Sequence, residues 1–176
     1  MFTLKTSIEL PIAHRLKGAY SGLCVGNIDI NENKMFEDDS LGIIHGHNYI
    51  ITFEISKKSL NEDGMVMDFK LVKKIIKDEM NKYDHSMILE KGDVLINFYQ
   101  KELKDRDSNI TKSRLYVWPF APTAENMAYK WYKDICEKLV DNGLLLDKLV
   151  ITVEETSHNS VSYTEGWGRY ESNRDF

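Results

Sequence analysis

The sequence predicts an α+β domain with a mainly antiparallel sheet, and three observations carry that prediction. From His47 to Ser56 apolar residues fall at every second position (Tyr49, Ile51, Phe53, Ile55), as in a strand with one buried face. Two segments, from about 69 to 82 and from Thr123 to Asn142, instead place apolar residues at spacings of three and four, as in amphipathic helices. In chain order the elements read strand, strand, helix, a long connection with a short strand, helix, strand, strand. Hairpin-like pairs therefore bracket the helices, the order of an α+β domain.

Residues 2–10 (Phe2, Leu4, Ile8 and Leu10 among polar neighbours) predict a first strand ending at Pro11. Lys17 to Ile44 has no strong period; Gly18, Gly22, Gly26 and the acidic run Glu37-Asp38-Asp39 predict a long loop. Asn61-Glu62-Asp63-Gly64 is turn chemistry, and Met65-Val66-Met67 is expected to open a paired strand. Asp68 is the expected N-cap of the first helix, whose apolar stripe is Phe69, Val72, Ile76, Met80 and Tyr83. Lys70, Lys73, Lys74 and Lys77 make its solvated face. A short helix is expected from Asp93 to Leu103 and a strand at Leu115–Trp118, closed by Pro119. Thr123 caps the next helix, with Ala124, Met127, Ala128, Trp131, Ile135 and Leu139 inward, and Asn142-Gly143 ends it. Residues 149–153 are a strong strand with a partner at 160–163.

Composition narrows the class. The chain has 176 residues, 42% hydrophobic and 29% charged, which suits one globular domain with its own core. The net charge of -5, from 23 basic and 28 acidic residues, offers no basic face for nucleic acid or an anionic membrane, and neither is expected as a partner. No apolar run approaches the ~20 residues that cross a bilayer. The first residues lack the apolar core of a signal peptide. Two cysteines, Cys24 and Cys136, allow at most one bridge and make no disulfide scaffold. A cytoplasmic protein with reduced thiols is expected.

Chemistry concentrates in a few polar residues. His45 and His47 open the second strand two positions apart, so both imidazoles leave the same face, and Gly46 between them admits a close neighbour. His14 follows the first strand, and pairing of the two strands brings it alongside. Three nitrogen donors with no cysteine or carboxylate match a zinc site that keeps a fourth position open, although a bare His-x-His is more often two ordinary strand histidines. Asp84-His85 is either an oriented proton shuttle or a histidine on a helix dipole. Glu155 shares the face of Leu149, Ile151 and Val153, so it either points inward to a hydrogen-bonding partner or marks where the strand reaches solvent. Cys24 is either a small buried residue or an activated base.

Taken together, Ala13-His14-Arg15-Leu16, His45-Gly46-His47-Asn48-Tyr49, Gly64-Met65-Val66-Met67-Asp68-Phe69, Asp84-His85, Pro122-Thr123-Ala124-Glu125-Asn126 and Glu155-Thr156 resemble the 6-pyruvoyl- and 6-carboxy-tetrahydropterin synthase family, in order from about residue 3 to 165. The resemblance implies zinc on His14, His45 and His47, a proton relay at Asp84 and His85, a pterin ring held by Glu155, and a pocket shaped in part by Thr123. It implies the tunnelling fold, in which paired β-hairpins carry two helices on one face and sheets join between subunits into a barrel. It implies a homohexamer with active sites between subunits. The family's general base is a cysteine four residues before His-Gly-His, where this chain has Leu41; Tyr20-Ser21-Gly22-Leu23-Cys24 resembles the segment leading into it. A single domain over 1–176 with a loop insertion near 25–42 is therefore expected, with Cys24 as the base.

The resemblance further implies conversion of 7,8-dihydroneopterin triphosphate to 6-carboxy-tetrahydropterin, on the way to queuosine and other 7-deazapurines. The Met-Val-Met-Asp-Phe wording leans to the carboxy branch. The alternatives are a 6-pyruvoyl-tetrahydropterin synthase or related pterin side-chain lyase, and a pterin-binding paralogue without catalysis. Arg15 and Lys17 are candidate contacts for the triphosphate.

Overall fold

The computed structural model describes residues 1–16, 42–106 and 114–165, with 102–106 described by backbone alone. Cys24, Lys17, the expected insertion and the residues after 165 lie outside these. Six strands form one sheet: β1 (Phe2–His14), β2 (His45–Lys57), β3 (Ser86–Glu90), β4 (Leu115–Trp118), β5 (Lys148–Glu154) and β6 (Ser160–Tyr163). Three α-helices, α1 (Phe69–Met80), α2 (Val94–Arg106) and α3 (Ala124–Asp141), complete the described residues, with a 3-10 turn at Asn81–Tyr83.

The sheet order is β4-β3-β1-β2-β5-β6. The β1–β2, β2–β5 and β5–β6 pairings are antiparallel, as the sequence predicts, while β1–β3 and β3–β4 are parallel. The sheet is thus mixed. The difference arises from β3, a five-residue strand directly after the 3-10 turn, too short to declare a period. The expected strand at Met65–Met67 does not form; the chain there is bend and loop. Asn61 accounts for it: its side-chain oxygen accepts from the backbone N–H of both Asp63 and Met65, and this turn leads directly to the α1 cap.

β1 runs past its expected end at Pro11. A proline is tolerated there because β3 joins β1 only from Ile12 onward, so the missing N–H leaves no ladder bond unmade. The Pro11 carbonyl, on the same side, accepts from His85 N–H at 2.9 Å.

The buried face follows the strand alternation. Leu4 stands opposite Ile55 and Leu10 opposite Tyr49; across β5, Ile51, Phe53 and Ile55 stand opposite Val153, Ile151 and Leu149. These residues, with Val72, Ile76 and Met80 of α1 and Met127, Trp131, Ile135 and Leu139 of α3, form one apolar core. Phe69, expected in the α1 stripe, lies in its first turn and is 51% exposed. The caps are as predicted. The Asp68 side chain accepts from Lys70 N–H, and Thr123 from Asn126 N–H. α3 ends in a Schellman motif, with Gly143 at φ +74 and bonds from Gly143 N–H to Val140 and from Leu144 N–H to Leu139.

One ion pair ties the end of β1 to its surroundings. Arg15 Nη1 donates to Asp93 Oδ1 at 2.7 Å, and Arg15 Nε donates to the Gly42 carbonyl at 2.5 Å. The same Asp93 oxygen accepts from Leu95 N–H at 2.9 Å at the start of α2. The Asp93 side chain is fully buried, and its second oxygen has no partner among the described residues. Arg15 is thus held between Asp93 and Gly42 beside the end of β1. Replacing Asp93 with alanine strands a largely buried guanidinium, a loss of about 3 kcal/mol in denaturant unfolding; Asp93→Asn, which still caps α2, is expected to cost less.

Candidate metal centre

The register of β1 on β2 carries the core face straight into three histidines. Ile12 stands opposite His47 and His14 opposite His45, so all three imidazoles leave the inner face at one end of the hairpin. One nitrogen from each lies within 4.8 Å of the others. Gly46 keeps the space between them tight: a Cβ there would meet the Ile12 carbonyl at 3.2 Å and the Ala13 Cα at 3.5 Å.

Hydrogen bonds fix which nitrogens face inward. His14 Nδ1 lies 2.7 Å from the Pro122 carbonyl and His45 Nδ1 lies 2.9 Å from the Ile43 carbonyl. A carbonyl only accepts, so each Nδ1 carries the hydrogen and each Nε2 presents a lone pair. A backbone partner on the far nitrogen is the usual support of a metal-bound histidine. Burial is the largest effect on His14, which is 1% exposed, and pushes its pKa below the ordinary value. The Pro122 bond opposes this. A neutral imidazole is the form that binds a metal. The donor set fits zinc: three nitrogens, with the ~3.4 Å N···N spacing of a tetrahedral site within reach of small side-chain movements.

Glu155 borders this cluster. Its Oε1 is 3.5 Å from His14 Nε2 and 3.6 Å from His47 Nε2, and it accepts from the Tyr49 hydroxyl at 3.0 Å. Tyr49 is fully buried and its hydroxyl is also 3.0 Å from His14 Nε2. Burial, then the charge of Glu155, holds this phenol far above its ordinary pKa. Glu155 thus takes the inward reading. It lines a cleft of about 420 Å³ with His14, Thr123, Glu125, His158 and Asn159. Thr123 meets this cleft while its Oγ1 accepts from Asn126 N–H at 3.3 Å.

Asp84 and His85 stand apart from that cleft. The pair sits where the 3-10 turn that continues α1 ends, with Asp84 as its C-cap, and passes into β3; Asp84 Oδ1 is 2.9 Å from His85 Nδ1. His85 is held at φ +52, an uncommon conformation for a residue with a side chain. Its side chain is 76% exposed and borders a second cleft with Gly46, His47 and Asn48. Arg114, just before β4, secures Asp84 by donating to its carbonyl.

The sequence reading missed Tyr49, Asp93, Arg114 and the carbonyls of Pro122 and Ile43 as parts of the site. For Tyr49 a signal existed: it follows the two histidines on the same face of an alternating strand.

This chain is similar to proteins already known. The 6-pyruvoyl tetrahydropterin synthase family matches residues 3–166. The 6-carboxy-5,6,7,8-tetrahydropterin synthase of Aquifex aeolicus is 32% identical over 124 residues, 69% of this chain and 74% of that protein. The protein of the same name from Rickettsia bellii is 35% identical over 100 residues, 56% of this chain and 67% of its own. Among solved structures, Plasmodium vivax 6-pyruvoyl tetrahydropterin synthase superposes with TM-score 0.60 at 15% identity, covering 95% of this chain and 100% of that one. The Caenorhabditis elegans enzyme superposes with TM-score 0.58 at 21% identity, covering 94% and 96%. Their architecture is the α+β tunnelling fold seen here, and the match over nearly the whole sequence places this chain in the 6-pyruvoyl tetrahydropterin synthase family.

Proposed function

We propose that this protein is a zinc-dependent 6-carboxy-tetrahydropterin synthase acting on 7,8-dihydroneopterin triphosphate, in the route to queuosine and other 7-deazapurines. The observation that carries the reading is the trio of converging imidazoles, two with their outer nitrogens tied to backbone carbonyls, beside a cleft that ends in a carboxylate. The names of the Aquifex and Rickettsia relatives support the carboxy branch.

In this reading His14, His45 and His47 hold the ion, which supplies Lewis acidity to the side-chain hydroxyls of the substrate. Glu155 accepts from the 2-amino group and ring N–H of the pterin, a charge-assisted pair that fixes the ring. Thr123 lines the wall of the same cleft. Cys24 takes a proton from the substrate side chain, and His85, oriented by Asp84, returns one. His85 opens on a different cleft from Glu155 within one chain, which supports a site completed by a neighbouring subunit in a homohexamer. A 6-pyruvoyl-tetrahydropterin synthase is the second reading, favoured by the solved neighbours. Mass spectrometry of the product formed from 7,8-dihydroneopterin triphosphate tests both. A 6-carboxy product supports the proposal, a 6-pyruvoyl product replaces it with the second reading, and pterin binding without turnover leaves a binding paralogue.

Substitutions check the parts. Metal analysis of the purified protein is expected to give about one zinc per subunit, and His45→Ala or His47→Ala to lose it; undiminished zinc in both removes this site from consideration. Glu155→Gln is expected to weaken pterin binding roughly tenfold or more while zinc stays, since the loss of a hydrogen bond to a charged group costs ~1.5–3 kcal/mol. Glu154, opposite Ile50 on the other face of β5, should tolerate the same change. Cys24→Ala is expected to keep zinc and fold and to lose turnover by ~100-fold or more. Cys136, buried in α3 with its thiol pKa raised by that burial, should be dispensable. Normal turnover in Cys24→Ala assigns the base to another residue.

A further inference from the structure

We propose that Tyr49 is a positioning residue that holds the Glu155 carboxylate for ring binding and keeps it off the three-histidine cluster. The inference rests on the reading of Glu155 as the pterin anchor and adds the group that makes this anchor available.

The geometry is one of competition. Tyr49 has a single hydroxyl hydrogen and two partners at 3.0 Å, Glu155 Oε1 and His14 Nε2. His14 gives its own hydrogen to the Pro122 carbonyl, so its Nε2 can only accept. Once that lone pair is committed to a metal, the Tyr49 hydrogen goes to Glu155 alone. The carboxylate needs such a tether. Its Oε1 already lies 3.5 and 3.6 Å from His14 Nε2 and His47 Nε2, and carboxylates are ordinary zinc ligands. Unrestrained, it would close the open position of the metal site and cease to serve the cleft. With the tyrosine bound to Oε1, the other oxygen and the remaining lone pairs are left to the cleft that Glu155 lines with Thr123.

Tyr49 is well made for this task. It is fully buried on β2, with its ring packed edge-on against His14 and His47 at centroid distances of 5.9 and 5.4 Å. Its backbone is fixed by pairing with Leu10. The hydroxyl therefore reaches its partners from a rigid strand, and removing it leaves the ring packing in place.

The test uses the zinc-loaded full-length protein and unsubstituted pterin (2-amino-4-oxopteridine), a probe with no side chain to reach the metal. Affinity is measured for wild type, Tyr49→Phe, Glu155→Gln and the double variant, with zinc content assayed in each. Tyr49→Phe is expected to retain full zinc and bind the probe roughly tenfold more weakly, the usual scale for losing a hydrogen bond to a charged group. In the Glu155→Gln background the same change should add little, because the tyrosine acts through that carboxylate. A role in packing alone would instead give additive losses. Wild-type affinity in Tyr49→Phe, additive losses, or reduced zinc in Tyr49→Phe each overturn the inference. Unchanged affinity in Glu155→Gln overturns the underlying assignment of Glu155, which separates the two failures.

Discussion

In an antiparallel pair, residues directly opposite one another share a face, and here His14 stands opposite His45 while Ile12 stands opposite His47. The candidate metal site depends on that alignment before anything else. A slip of one residue would turn every β1 side chain over, sending His14 outward and leaving the β2 pair without its third donor. The core prevents the slip. Leu4, Leu10 and Ile12 are buried on the same face as His14, so any displacement of the histidine exposes three apolar side chains as well. The polar site is held in register by hydrophobic burial along the same two strands.

The same arrangement sets the local electrostatics. The cluster begins where the core ends, so His14 and Tyr49 are desolvated while His47 and Glu155 keep partial contact with water. Burying two polar rings is costly unless each hydrogen-bonding atom is used. The Pro122 carbonyl, the tyrosine hydroxyl and the Glu155 carboxylate use them. These contacts give the cluster a graded interior: a neutral dry imidazole, a protonated phenol, then a carboxylate facing the cleft.

Much of this was legible in the sequence. The alternation after His45 puts the His-x-His pair on one face, and the same argument carried past β5 puts Glu155 with Leu149, Ile151 and Val153, the inward one of its two readings and the one the Tyr49 bond matches. Helix stripes and caps gave α1 and α3 nearly to the residue. What escaped was non-local or carried by the backbone. β3 is brief, and its parallel partners lie far away in sequence. The acceptors that orient His14 and His45 are main-chain carbonyls, which no side-chain pattern records. Asp93 and Arg15 look like surface charges until α2 is brought against the end of β1. Asp84 and His85 were seen as a pair, but which cleft they border depends on the path from the 3-10 turn into β3.

The bond from Arg15 to the Gly42 carbonyl has a bearing on the spacing of the histidines. It joins the residue after His14 to the segment just before His45, so the two ends of the stretch 17–41 meet at a fixed gap. The spacing of His14 and His45 is therefore set by this bond and by the β1–β2 register, whatever number of residues lies between them in the chain.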